Sequence, residues 1–273
     1  LPLMWLRLSI ALPFYLVVGV LAWNKIRSDH VSNKKPIPGI TDFAYAAMVG
    51  LLGYYLASLL DLYGLQYVSA QLERLVLYAY PSIVVLLGIL FFGNRFNPAI
   101  LLPLALTYAG LGLMYGHDLE LQADPNLAKG TALVVGSAIA FAFYLLLSKR
   151  SIKVLGSLLF TSVAMTSATL ATLVNHFITS LFAGDSVVLI PDYSFELWMG
   201  ILALSIFATV LPSFLVSIAI KRIGPEKTSM SGTLGPVFTT LMAVALLGEV
   251  LSWMSVAGMA LVVGGIYLLS RVK

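Results

Sequence analysis

The chain has 273 residues, 60% of them hydrophobic and only 10% charged, with a net charge of +4 and no cysteine. A soluble domain carries about 25% charged residues, so a water-exposed surface cannot be covered here and lipid must cover it. The lack of cysteine excludes a disulfide framework, a thiolate metal site and a cysteine nucleophile, and a small basic total without a basic run argues against nucleic acid.

A membrane-spanning helix needs about 20 mostly apolar residues, each adding about 1.5 Å across a core of roughly 30 Å. Nine stretches meet or approach that length, at 2–23, 40–62, 72–92, 99–116, 128–148, 155–182, 197–220, 228–247 and 251–270. These runs are far longer than the alternating segments of about ten residues in a membrane barrel. The chain opens at Leu1-Pro2-Leu3-Met4-Trp5, inside an apolar run, without a cleavable signal peptide. That opening suggests a cut chain.

The loop charges test the count, because Arg and Lys concentrate on the cytoplasmic side. Alternate connections hold Lys25, Arg27, Lys34 and Lys35; Arg95; Lys149, Arg150 and Lys153; Lys221, Arg222 and Lys227; and the tail residues Arg271 and Lys273, which is 13 of the 16 basic residues. The opposite connections carry Asp118, Glu120, Asp124, Asp185, Asp192, Glu196 and Glu249. This alternation predicts nine spans, with Leu1 near the outer face and the C-terminus cytoplasmic.

An internal repeat runs at an offset of 155 residues: Tyr67–Asn94 (YVSAQLERLVLYAYPSIVVLLGILFFGN) lies over Arg222–Glu249 (RIGPEKTSMSGTLGPVFTTLMAVALLGE). Pro81 falls on Pro236, Gly93 on Gly248, Gly110 on Gly265 and Ser58 on Ser213. The second copy, 127–273, holds five helices and the first, 1–117, holds four. The span at 128–148 has no partner, which predicts a missing first helix just upstream of Leu1 and ten helices in the complete protein. An odd number of helices per copy inverts the second copy in the membrane, an architecture common among transporters.

These residues resemble the EamA family of the drug/metabolite transporter superfamily. The likeness rests on IGPEKTSMSGTLGPVFTTLMAVALLGEVLSWMSVAGMALVVGGIYLL in the second copy and YVSAQLERLVLYAYPSIVVLLGILFFGNRF in the first. It covers essentially the whole chain. The resemblance implies an all-α membrane protein of two inverted five-helix repeats, acting as an exporter of amino acids or related metabolites in a bacterial inner membrane. Asn94 stands where the family usually has Glu, which suggests that this Glu is not an essential catalytic group.

Charged groups inside a span cost about 2.5–3.5 kcal/mol each at its centre and mark functional positions. Asp61 and Glu73 lie at helix ends on the predicted outer side, with Arg74 beside Glu73 and Arg7 at a similar depth. Together they would form an outer mouth, where a guanidinium can clamp a carboxylate; the competing view is snorkelling or a structural ion pair. Tyr54, Tyr55, Tyr78, Tyr80, Tyr144 and Trp198 are candidates to line a substrate path, against ordinary helix packing or an interfacial belt. Tyr78 and Tyr80 flank Pro81. Pro81, Pro212 and Pro236 each remove a backbone hydrogen bond and can bend a helix. The segment from Gly112 to Gly116 is a small-xxx-small packing match. Glu73 and His176 are candidate proton relays, with a hydrogen-bonded or interfacial His as the plain alternative.

No HExxH, GxSxG or Walker-type loop occurs, so no catalytic residue, metal or cofactor is expected. The leading reading is a secondary transporter of a small molecule, working in the bilayer by alternating access as a monomer or homodimer. Its rivals are a non-transporting scaffold or sensor and an intramembrane enzyme built on Asn175-His176.

Overall fold

In a computed structural model the chain is described over residues 2–33, 37–115, 126–183, 193–238, 241–242 and 253–271. Among these residues every regular element is helical and no strand occurs. The elements are α1 (Pro2–Asn33), α2 (Ile40–Gly50), a π-helix π1 (Leu51–Leu56), α3 (Ala57–Gly64), α4 (Ala70–Leu77), α5 (Tyr80–Phe92), a 3₁₀ turn (Pro98–Ile100), α6 (Leu101–Tyr115), α7 (Leu127–Ala183), α8 (Phe195–Ser205), a second π-helix π2 (Ile206–Val210), α9 (Leu211–Gly232), α10 (235–238) and α11 (Trp253–Arg271). Among the described residues four helical runs are long and apolar enough to cross a bilayer: Met4–Asp29, Ile40–Gly64, Leu127–Phe182 and Phe195–Gly232. Tyr80–Phe92, Pro98–Leu113 and Val256–Leu269 are shorter apolar helices. The end of the predicted packing match at Gly116, the predicted alignments onto Gly248 and Glu249, and the loop acids Asp118, Glu120, Asp124, Asp185 and Asp192 lie outside the described residues.

Two glycines divide the longest helices. Gly156 (φ 75°, ψ 163°) breaks α7, and Gly224 (φ 82°, ψ 167°) breaks α9. This backbone region is essentially closed to residues with a Cβ. Pro225 then occupies the first position of the new helical run, where its missing N–H costs nothing. The break at Gly156 divides the predicted spans at 128–148 and 155–182, with helix continuing through the basic turn between them.

The chain forms two compact units. The first comprises Leu1–Leu56 and Leu147–Arg222; the second comprises Ala57–Leu146 and Ile223–Lys273. In the first unit α1 packs on α8 and π2. A Cβ at Gly50 would strike the Ala164 backbone, so the two helices approach at backbone distance there. Buried hydroxyls are satisfied locally. Thr161, Thr169 and Thr172 donate to carbonyls one turn back at 2.8 Å, which lets polar side chains sit in an apolar bundle. The exposed flank of α1 carries Leu16, Val17, Val20 and Leu21, up to 64% exposed, a surface suited to lipid rather than water.

The second unit is organised around α6 and α11, which pack along much of their length. A Cβ added at Gly110 would lie 2.5 Å from the Gly258 carbonyl and 2.8 Å from Val262; one added at Gly265 would lie 2.8 Å from the Pro103 carbonyl and 2.6 Å from Thr107. The two contact sets are reciprocal at the offset of 155, and the pair runs antiparallel. Such exchange of identical positions is the signature of a two-fold relation.

Other boundaries recur at the same offset. Helices α2 and α8 start at Ile40 and Phe195 and pass into π1 and π2 at Leu51 and Ile206. Gly39 and Ser194 precede them as caps, and Ser69 and Gly224 precede the next helical runs. Ser and Gly are both good residues at a helix start. The helix following Leu77 restarts at Tyr80, and that following Gly232 restarts at residue 235.

Candidate functional site

Two helix breaks of the second unit stand at Pro81 and Pro236. The run predicted as one span at 72–92 is interrupted: α4 ends at Leu77, and α5 begins at Tyr80 with Pro81 in its first turn. Pro81 therefore opens a helix instead of bending one. Pro236 is buried and stands at the same place in α10. Pro212 follows π2 directly in the first unit. A widened turn accommodates a missing N–H, although π1 forms at the equivalent place without a proline.

Each break frees backbone groups that must find partners away from water. Past the second break the Thr233 amide bonds Met230 O and the Leu234 amide bonds Ser231 O, three residues back. Ser229 O is thereby released from its helical partner. Tyr80 Oη donates to it at 2.6 Å, and a Cβ on Gly232 would collide with that hydroxyl. At the first break Tyr108 Oη accepts from the Ser82 amide at 3.2 Å, lies 2.6 Å from Ser82 Oγ and reaches Ala79 O at 3.3 Å. Tyr80 is buried and meets Phe141 edge-on, with ring centroids 5.4 Å apart. Tyr78 packs against Leu111, Val237 and Val262. Tyr144 is wholly buried and stacks on Phe141.

Glu73 lies in the first turn of α4 and is only 7% exposed. Its carboxyl lies beside that of Asp61 on α3, and Asp61 Oδ1 has no hydrogen-bond partner among the described residues. Arg74, the next residue, is exposed and turns to a different face. Elsewhere in this unit Asn94 Nδ2 donates to Glu226 Oε1 at 2.5 Å. Gly88 leaves room for that pair, since a Cβ there would lie 2.7 Å from Asn94 Nδ2. The position where the family usually carries Glu is thus used here to hold a carboxylate of the second copy.

The first unit holds the remaining candidates. Arg7 is half-buried on α1, and its Nε has no hydrogen-bond partner. Trp198 of α8 packs with Trp5, Leu6 and Ile201. His176 of α7 stacks on Trp5, with ring centroids 4.7 Å apart and planes inclined by 16°. Tyr54 lies in π1 and, like Tyr55, is half-buried. The unit also contains an apolar cavity of about 420 Å³ bordered by Tyr15, Gly19, Trp23, Ala47, Ser162 and Leu170. Its rim residues Leu16, Val20 and Leu170 are at least half exposed, so it opens on the lipid-facing surface.

The structure brings six of the candidates together in three groups. Asp61 and Glu73 meet, Tyr78 and Tyr80 line the first break, and His176 and Trp198 converge on Trp5. Trp5, Tyr108 and Ser229 were not among the candidates. The first two read as ordinary apolar-run residues, and the third acts through its backbone, which no side-chain pattern reveals.

Comparison with known proteins extends this picture. A solved crystal structure superposes with a TM-score of 0.75 at 18% identity, covering 99% of this chain and 89% of the other, a likeness of fold alone. The uncharacterized transporter YcbK of Bacillus subtilis (strain 168) is 30% identical over 225 residues, spanning 80% of this chain and 69% of that protein. The EamA-like transporter family matches residues 1–116 and 128–271, and the chain belongs to that family.

Proposed function

We propose that the protein is a secondary transporter that exports a small polar or amphipathic metabolite by alternating access between two inverted repeats, 1–117 and 127–273. The reading rests on the family and, for the mechanism, on one observation: the reciprocal, antiparallel contact of α6 and α11 at Gly110 and Gly265. A two-fold axis that exchanges antiparallel helices runs across them and hence in the membrane plane, which supports inversion of the second repeat. The paired π-helices and paired proline breaks then give each repeat the same bending points. Exchange of the two arrangements opens a path alternately to either side.

In this reading the chain is not an enzyme; His176 rests on an indole ring and not on a carboxylate. The protein sits in a bacterial inner membrane with its C-terminus in the cytoplasm, as a monomer or homodimer. Arg7, Tyr54, Glu73, Arg74, Tyr78, Tyr80 and Trp198 are proposed for the substrate path, and Glu73 and His176 for proton movement. Counterflow in proteoliposomes, screened over amino acids and nucleotide-like metabolites, tests the proposal. Saturable exchange of at least one compound is expected, and Tyr80→Ala slows it. Flux no greater than in empty liposomes across the panel would count against transport.

A further inference from the structure

Helices α1 and α7 bring together a set of buried donors that have no hydrogen-bond partner among the described residues. Trp5 is 4% exposed, yet its indole N–H has no hydrogen-bond partner. The same holds for Ser9 Oγ, one turn further along α1, and for His176 Nε2 on α7. Residues four apart share a helix face, so Ser9 lies above Trp5 on the side where His176 stacks. Arg7, two residues from each, lies on the opposite side of α1 and is not part of this set.

Buried polar groups are almost always paired, and each unpaired one calls for an explanation. These groups share a bias: an indole nitrogen only donates, and serine and imidazole can donate. The deficit is therefore one of acceptors. In the first unit the described acids are Asp29, Asp42 and Glu196; the first two lie far along the sequence from this turn, and Glu196 is exposed. Beside the donors stand Leu6, Ile10, Leu173, Ile201 and Trp198, which suit an apolar body.

We infer that the end of the first unit formed by Trp5, Ser9 and His176 binds a small organic carboxylate whose apolar or aromatic part lies against Trp198 and Ile201. The carboxylate supplies the acceptors that the donors lack, and charge-assisted bonds of this kind are the strong ones. Its role as cargo rests on the transporter reading; the binding itself does not, and it is tested without transport.

The experiment uses the full chain purified in dodecyl maltoside, which carries no phosphate or carboxylate of its own. Benzoate is expected to raise the unfolding temperature in a saturable way, whereas benzyl alcohol, the same ring without the charge, leaves it unchanged. Trp5→Phe keeps the stacked ring and removes the N–H, and should weaken benzoate about tenfold by titration calorimetry. His176→Phe should do the same, and Trp253→Phe, at an exposed position of the other unit, should not. The proposal is overturned if benzoate gives no shift, if benzyl alcohol matches it, or if Trp5→Phe and His176→Phe both bind as well as the parent. It is equally overturned if inorganic phosphate protects better than benzoate, because the donors would then hold a phosphate such as a lipid headgroup. Benzoate binding without flux in the counterflow screen would leave this site standing and remove its transport role.

Discussion

Breaking a helix inside an apolar bundle releases carbonyl groups that water does not reach, and Tyr80 shows what this demands of one residue. Its hydroxyl donates to Ser229 O. Tyr80→Phe removes the donor and leaves a buried carbonyl unpaired, at a cost of about 1–3 kcal/mol. Gly232→Ala should cost at least as much by pushing the same hydroxyl away. Unfolding by SDS titration in mixed micelles measures both. A Tyr80→Phe protein as stable as the parent would mean that another group caps Ser229 O. The buried carboxyl pair gives a second case. Glu73→Gln keeps a side chain able to hydrogen-bond Asp61, whereas Glu73→Leu leaves the Asp61 carboxyl short of a partner. The leucine variant should lose about 1–3 kcal/mol, and the glutamine variant less, in the same titration. Both residues were visible in the sequence as costly acids at span ends that share one depth. That their carboxyls lie side by side, with Arg74 turned away, was not, because it depends on how residues 65–69 turn the chain back.

At the scale of elements, the helical character of the apolar runs could be read from their length, since so long an apolar run in lipid satisfies its backbone hydrogen bonds as a helix. Where those helices are interrupted was only partly readable. Pro81 and Pro236 announced their breaks, and Gly224-Pro225 is an ordinary turn signal. Gly156 looked like any glycine in a membrane helix, and π1 has no proline to betray it. The decisive property at Gly156 and Gly224 is a positive φ, which sequence does not display. Alanine at either site should destabilise by about 1–3 kcal/mol. Alanine at Gly200 or Gly264, both in regular helix with open space at the Cβ, should be neutral or stabilise by up to about 1 kcal/mol. Thermal unfolding of the four variants in one detergent separates the two classes. Equal behaviour would show that the breaks are soft.

At the scale of the whole molecule, the offset of 155 residues was legible from matched prolines and glycines, but a sequence offset does not say whether the copies lie parallel or inverted. Loop charge argued for inversion, and the antiparallel contact of α6 with α11 argues for it independently. Equivalent positions should then emerge on opposite sides of the membrane. Gln66 and Lys221 are such a pair, both exposed and both next to the turn that ends a repeat-matched helix. The chain has no native cysteine, so Gln66→Cys and Lys221→Cys each give a single labelling site without background. A membrane-impermeant maleimide applied to right-side-out vesicles should modify residue 66 and spare residue 221; inverted vesicles should reverse the pattern. Labelling of both from the same side would place the copies parallel. The paired breaks would then face one compartment together, and no exchange between them could alternate access.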